Sequence, residues 1–363
     1  MAKELVADYI KKLVPYVPGK PIEELERELG IKDSIKIASN ENPLGPSPKG
    51  VAAAQALLNN LHRYPDGGAT TLRDRLSKKL GVPADQIVVG NGSNEVLELA
   101  TATFMRPGDH AVISAHAFVV YDLAVDSRGY DKTVVPPGKN YGHDLRAMAK
   151  AVTDKTRIVF IANPNNPTGT YNTREELDEL LESLPQDVIV VLDEAYFEFV
   201  DQPDYPDGVE LVKKGANVIA CRTFSKIYGL AGLRCGYGVM PAELAGYINR
   251  VRQPFNVNML AQAAAEAAID DVEFVEKAKA VNRQGMAFLE RSFNEMKLEF
   301  IPSVGNFVLF KCPIDTKVAY DKLLRKGVIV RPMGGYKLGE WLRVTVGLPE
   351  ENQRFIQALK EIL

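Results

Sequence analysis

Residues 217 to 239 read N-V-I-A-C-R-T-F-S-K-I-Y-G-L-A-G-L-R-C-G-Y-G-V. The apolar run Val218 to Ala220 has the composition of a buried strand, and it leads into Thr223, Phe224, Ser225 and Lys226. Small residues follow (Gly229, Ala231, Gly232), and Arg234 lies eight positions past the lysine. One amine is thus set among two hydroxyls, glycines that let backbone approach a ligand, and an arginine suited to a phosphate. A lysine in a cationic, partly dry pocket has a lowered pKa and becomes a usable nucleophile. That is what a Schiff-base lysine needs if it holds a phosphorylated aldehyde. A solvated lysine and a surface arginine around a turn fit this stretch equally well, so the decision lies in the rest of the chain.

Working outward, strands are expected near residues 87, 111, 157, 188 and 218, alternating with helices, which reads as an α/β fold with a mostly parallel sheet. In such sheets ligands sit beyond the carboxyl ends of the strands. The strand Ile87-Val88-Val89 is followed by Gly90-Asn91-Gly92-Ser93-Asn94-Glu95 and then an apolar-periodic segment. A strand, a glycine-rich turn and a helix N-terminus make an anion site. Phe118 follows the strand Ala111 to Ser114, where an aromatic can stack on a flat ligand or simply fill core. The strand Arg157 to Ala162 ends in N-P-N-N-P-T-G, whose prolines hold the Asn166 amide. Val188 to Leu192 is fully apolar and runs into Asp193-Glu194-Ala195-Tyr196. A carboxylate at the end of a buried strand is costly unless it meets a cation. Gly92 to Asn94, Phe118, Asn166, Asp193, Tyr196 and Ser225-Lys226 therefore converge at one edge.

The helical stretch from about Met259 to Met296 reads as a connector, and the alternating elements beyond it as a small α+β domain. Arg331 and Arg343 fall on strands there, where a charge has either a solvated face or an anion to bind. The expected division is an N-terminal arm with part of the small domain (1–36), a large domain (37–258), the connector (259–295) and the small domain (296–363). Helices are also expected over Ile22 to Leu29 with Gly30 as stop, over 47–62, and from a Thr70 or Thr71 cap to Gly81. A further helix, Thr173 to Leu184, opens with the capping box Thr173 and Glu176.

Composition narrows the partners. A net charge of -3 on 363 residues, with no Lys/Arg block, leaves no electrostatic footprint for nucleic acid. Three cysteines without paired spacing and four scattered histidines argue against a disulfide framework or a metal site. No apolar run approaches ~18 residues, and the first ten residues carry charges where a signal peptide needs an apolar core. A soluble cytoplasmic protein is expected.

In this order and spacing, N-P-N-N-P-T-G, D-E-A-Y and T-F-S-K-x-x-G-L-A-G-L-R-C-G-Y resemble the fold-type I aminotransferases that depend on pyridoxal phosphate (PLP). N-E-N-P-L-G-P-S-P, R-Y-P-D, V-I-V-R-P-M and W-L-R-V-T-V-G are most similar to the histidinol-phosphate aminotransferases of the class-II subfamily. The resemblance spans essentially the whole chain. It implies the PLP-dependent transferase-like fold and a ping-pong transfer between L-histidinol phosphate and 2-oxoglutarate in histidine biosynthesis. By the same resemblance Lys226 would carry the cofactor and shuttle a proton. Asp193 would pair with the pyridinium nitrogen, Tyr196 and Asn166 would bond the ring hydroxyl, and Phe118 would stack on the ring. Gly92, Ser93, Asn94, Thr223, Ser225 and Arg234 would surround the phosphate, with Tyr64 reaching in from the second subunit of a homodimer. Arg343, helped by Tyr16, Asn42 and Arg331, would hold the substrate anion. Where relatives often have a tyrosine preceded by proline and threonine, this chain has His116-Ala117-Phe118. An aromatic amino-acid aminotransferase or a threonine-phosphate decarboxylase would share the cofactor residues, and a PLP-binding regulator without turnover is a further reading.

Overall fold

The computed structural model describes residues 5–15 and 18–363, so Tyr16 lies outside the described residues. In chain order its strands are β1 (Ile35–Lys36), β2 (Ile87–Gly90), β3 (His110–Ser114), β4 (Asp131–Val135), β5 (Thr156–Ala162), β6 (Ile189–Asp193), β7 (Val218–Thr223), β8 (Gly236–Val239), β9 (Phe300–Ile301), β10 (Phe307–Lys311), β11 (Val328–Ile329), β12 (Arg331–Pro332) and β13 (Trp341–Thr345). A seven-stranded sheet has the order β2-β8-β7-β6-β5-β3-β4, parallel throughout except for β8, which runs against both its neighbours. The expected α/β fold is the observed one, with two more strands than the sequence suggested.

Both extra strands lack an ordinary strand signature. β4 (D-K-T-V-V) is the polar edge, and β8 (G-Y-G-V) has a glycine at every second position. Those glycines are there for close approach. A Cβ on Gly236 would stand 2.3 Å from the Ser93 amide nitrogen, and one on Gly238 would stand 2.8 Å from Val96 Cγ1. The helix Ser93–Phe104 can therefore lie directly on β8, which aims its N-terminus at the strand ends.

β6 and β7 are buried along their whole length, and separate apolar clusters fill the two faces of the sheet. The second sheet, β12-β13-β10-β9, is antiparallel and packs with the helices Val272–Glu295 and Pro349–Ile362 around Phe293, Phe310 and Phe355. β1 pairs with β11, after which Ile37 donates to Ile329 and accepts from the Thr345 N–H. The segment 37–40 is thereby stitched to the smaller sheet as it enters the crevice between the two sheets.

Local signals resolve in detail. The helix Ile22–Leu29 stops at Gly30 (φ 64°) and the capping box of Thr173 and Glu176 opens Arg174–Ser183. Neither Thr70 nor Thr71 caps its helix. Asp66 takes that role from upstream, accepting from the N–H groups of Gly68 (2.8 Å) and Thr70 (2.6 Å). The segment expected as one helix over 47–62 ends at Ala56, with a single 3₁₀ turn beyond it. The long stretch from Met259 breaks into Met259–Ile269 and Val272–Glu295. The break falls at Asp270-Asp271, where Asp271 accepts from the Ser47 hydroxyl (2.5 Å) and Asp270 from Lys49 (2.9 Å). The run Val328 to Arg331 is divided at Val330 between β11 and β12, which belong to different sheets. No helix among the described residues is long and apolar enough to cross a membrane.

Candidate active site

A cavity of about 240 Å³ opens at the carboxyl ends of β5, β6 and β7, with β12 and β13 forming its opposite wall. Lys226, Asp193, Tyr196, Asn166, Phe118, Ser93, Asn94, Thr223, Ser225, Arg234, Arg331 and Arg343 all line it. These residues span 251 positions of sequence, from 93 to 343, and β-strand ends bring them together.

Lys226 sits on the turn after β7 and donates to the Ser39 carbonyl (3.2 Å). Its amine is 5.6 Å from the centre of the Tyr196 ring. Burial, then the positive charge of Arg343, lowers its pKa to about 8, which leaves a sizeable neutral fraction near neutrality. Asp193 ends β6 and is 5 % exposed. It accepts from the Tyr121 hydroxyl (2.8 Å) and the Ala195 N–H (3.2 Å), and no cation among the described residues forms an ion pair with it. Burial pushes its carboxyl up to about 6, against the pull of those two donors. Tyr196 is held by Asn40, whose amide donates to the phenol oxygen (2.8 Å), and its ring meets Phe307 edge-on at 5.1 Å. Burial raises its hydroxyl to about 12, so it stays protonated.

A second set of groups favours an anion. Gly92 (φ 81°) precedes the helix Ser93–Phe104, and a Cβ there would meet the Arg234 guanidinium at 2.6 Å. Arg234, itself at φ 59°, therefore lies flat against the bare backbone where the helix begins. Its Nη1 is 3.5 Å from the Ser225 hydroxyl. Thr223 Oγ1 accepts from the Ser225 N–H (3.1 Å), fixing the turn that carries the serine. Exposed helix N–H groups, a guanidinium and hydroxyls together suit a phosphate.

The opposite wall is also cationic. Arg331 and Arg343 are direct cross-strand partners on β12 and β13, an arrangement that costs free energy unless an anion lies between like charges. Arg343 is buried, donates to the Ala38 carbonyl (2.7 Å) and to Asn166 Oδ1, and stands 5.2 Å over the Phe307 ring. With its oxygen turned to the arginine, the Asn166 amide is fixed in place. The surrounding loop is braced by Asn165, which accepts from Gly169 (2.8 Å) and bonds Thr168 (2.8 Å).

Three expected residues stand elsewhere in this chain. Gly92 shapes the cavity from behind Arg234. Asn42 ties its own turn to the segment after Lys226, donating to the Ile227 carbonyl (2.8 Å) and accepting from Leu44 (3.0 Å). Tyr64 is 81 % exposed and stacks on Phe255 (4.7 Å) at the surface. Conversely, Ser39, Asn40, Tyr121 and Tyr336 belong to the cavity and were not expected there. Tyr121 had the one available signal, a polar-tipped aromatic three residues after Phe118 in an otherwise apolar segment.

Residues 32–359 match the family model for aminotransferase class I and II. The chain is 50% identical to histidinol-phosphate aminotransferase 2 of Pseudomonas fluorescens, over 98% of this chain and 96% of that protein. It is equally 50% identical to histidinol-phosphate aminotransferase 1 of Nitrosococcus oceani, over 99% and 97%. The chain belongs to the class I and II aminotransferases, among the histidinol-phosphate aminotransferases. Among solved structures, histidinol-phosphate aminotransferase from Sinorhizobium meliloti in complex with pyridoxal-5'-phosphate superposes with a TM-score of 0.91 at 28% identity, covering 99% of this chain and 98% of that one. Aspartate aminotransferase from Thermus thermophilus with maleate shares the fold, with a TM-score of 0.85 at 20% identity, over 99% and 100%.

The aminotransferase cofactor is pyridoxal phosphate, and the donor set here fits each part of it. A buried carboxylate without a counter-cation suits a ring nitrogen that must stay protonated. A low-pKa amine suits an aldehyde. The glycine-backed guanidinium at a helix N-terminus suits the phosphate.

Proposed function

We propose that this chain transfers the amino group between L-histidinol phosphate and 2-oxoglutarate, giving imidazole-acetol phosphate and L-glutamate, in the histidine biosynthesis of its family. The observation that carries the reading is the pairing of Lys226 and Asp193 across one cavity: an amine with pKa lowered to about 8 faces a buried acid that lacks a cation. PLP, when bound, supplies an electron sink for the pair of electrons left when a proton leaves the substrate carbon.

The protein does the rest. Lys226 Nζ, held to the Ser39 carbonyl, takes that proton and returns it on the other side of the reaction. Asp193 keeps its negative charge toward the ring nitrogen, with Tyr121 and Ala195 N–H fixing its two oxygens. Tyr196, oriented by Asn40, and Asn166 would bond the ring hydroxyl, and Phe118 would stack on the ring. Ser93, Asn94, Thr223, Ser225 and Arg234 would hold the phosphate. Arg343 and Arg331 hold the substrate anion, the carboxylate of glutamate in one half-reaction and the phosphate of histidinol phosphate in the other.

The working unit in this reading is a cytoplasmic homodimer. Leu58, Leu61, Tyr64 and Phe255 are exposed hydrophobics on one chain, and a second copy would cover them and receive Tyr64 at its phosphate site. Residues 37–258 act as the large domain and 296–363, with the N-terminal segment, as the small one.

Lys226→Ala should abolish the visible absorbance of the bound cofactor and leave nothing for borohydride to trap; an unchanged spectrum removes the covalent lysine. A half-reaction panel then settles the substrate. PLP enzyme mixed separately with histidinol phosphate, phenylalanine, tyrosine and threonine phosphate should bleach fastest with histidinol phosphate, and a faster reaction with any of the others overturns that assignment.

A further inference from the structure

β12 and β13 carry the two anion-facing arginines, and the connection between them brings Tyr336 into the cavity wall. The connection is a tight turn: the N–H groups of Tyr336 (2.9 Å) and Leu338 (3.2 Å) both donate to the Met333 carbonyl. One flank of the Tyr336 side chain packs on the apolar cluster of Met333, Leu338 and Trp341. The crest of the turn faces open space, since a Cβ on Gly334 or Gly335 would meet nothing within 4 Å.

The turn is also anchored from across the crevice. His116, just past β3, donates from its ring Nδ1 to the Tyr336 carbonyl (2.6 Å). His116 adopts φ 57°, a conformation side chains adopt at a cost, and its own carbonyl accepts from the Asn165 amide (3.2 Å). Its ring meets Tyr141 edge-on (5.4 Å), and Tyr141 meets Trp341 (5.6 Å). A bridge of aromatic contacts thus joins the end of the large sheet to the strand that carries Arg343.

We infer that Tyr336 determines which amino substrates the site accepts: it is the wall against which the substrate branch not held by the arginines lies, favouring a branch that ends in a flat aromatic ring over an aliphatic one, and His116 is the residue that positions it. The inference rests on the reading above that Arg331 and Arg343 hold the substrate anion. A molecule reaching from the Lys226 amine to those arginines passes the connection between their strands. Tyr336 lines the same cavity as Lys226, Arg331 and Arg343. An aromatic face there attracts a ring by offset or edge contact, while an aliphatic chain gains only the area it buries.

The test isolates the ring. Histidinol phosphate is compared with 2-aminopropyl phosphate, which keeps the amine and the phosphate and lacks the imidazole; phenylalanine is compared with alanine as a second pair. In single-turnover half-reactions, Tyr336→Ala should lower the ring-bearing to ring-free preference about tenfold in both pairs, the ring-free rates falling less than the ring-bearing ones. His116→Ala should lower the same ratio by about threefold, and His116→Asn, which tolerates the positive φ and keeps a donor, should restore it. The double variant should be no worse than Tyr336→Ala alone, because His116 acts through Tyr336. Equal losses for ring-bearing and ring-free donors, or an unchanged ratio, overturn the inference. If the wild-type enzyme ignores histidinol phosphate, the proposed function fails on its own, and the phenylalanine–alanine ratio still decides the role of Tyr336.

Discussion

Asp193 and Glu194 are consecutive, both buried, and turned to opposite faces of one sheet. On its face Glu194 meets a cation and a backbone donor, although burial still pushes its carboxyl up to about 7. Arg222 donates to it (3.0 Å) and to Asp207 (2.7 Å), the Gly208 N–H reaches its other oxygen (2.8 Å), and the guanidinium lies 3.5 Å from the centre of the Phe197 ring. Burial by itself would lower the Arg222 pKa, but the surrounding carboxylates outweigh it and hold the side chain charged. Asp193, one residue earlier, has a phenol and one amide N–H instead. The contrast separates a structural ion site from a ligand site: a buried charge neutralised from within braces the fold, and one left to be neutralised marks where a cation must arrive.

The largest effect expected from this contrast is on stability. Arg222→Ala leaves Glu194 buried without its partner and should lower the unfolding free energy by about 3–5 kcal/mol in urea titrations. A loss below about 1 kcal/mol would erase the distinction between the two acids.

Asp193→Asn should do the reverse. Turnover should fall by about 10²–10³-fold, or about 3–4 kcal/mol of barrier, while the apoprotein loses no stability, because no internal ion pair is broken, and gains some above pH 6, where the native carboxyl is charged and buried. Near-normal turnover would remove the electrostatic role. The pH dependence has a definite sign. The native carboxyl titrates at about 6 against an ordinary 3.8, so between those values the folded apoprotein holds a proton that the unfolded chain has released. Its stability therefore falls as pH rises through that window. The asparagine variant should lack that component, which the difference between two pH–stability curves reads directly.

How much of this was legible beforehand follows from the distances involved. Asp193 and Lys226 could be read because each ends its own apolar strand, and strand ends in a parallel sheet meet at one edge. The glycines of β8 could not, since their reason is the helix at Ser93, well over a hundred residues earlier. Asn40 is set by Thr345, whose hydroxyl accepts from the Asn40 N–H (2.9 Å) across 305 positions, and no local pattern encodes that. The Thr70 cap was misplaced because the helix already begins at Thr70, with Ala69 before it and the Thr70 N–H satisfied by Asp66 four residues upstream. Tyr336 sits in a glycine turn that reads as a simple connection.

Tyr121 gives the finest test of the comparison, since it is the neutral group that Asp193 has where Glu194 has a guanidinium. It lies fully buried, parallel to Phe160 (5.1 Å) and edge-on to Phe118 (5.9 Å), so Tyr121→Phe removes the hydroxyl and keeps the packing. The lost donor favoured the charged carboxylate, and its removal should raise the Asp193 pKa further, by about one unit if the bond contributes about 1.5 kcal/mol. The upper edge of the apoprotein's falling-stability window should then move up by about one pH unit, and cofactor affinity should fall by about twofold at neutral pH as about half of the carboxyl protonates. Stability well below that window should change little, because there the carboxyl is already protonated in both proteins. A window that stays in place would mean that burial alone sets the Asp193 carboxyl, and that the phenol merely fills space beside it.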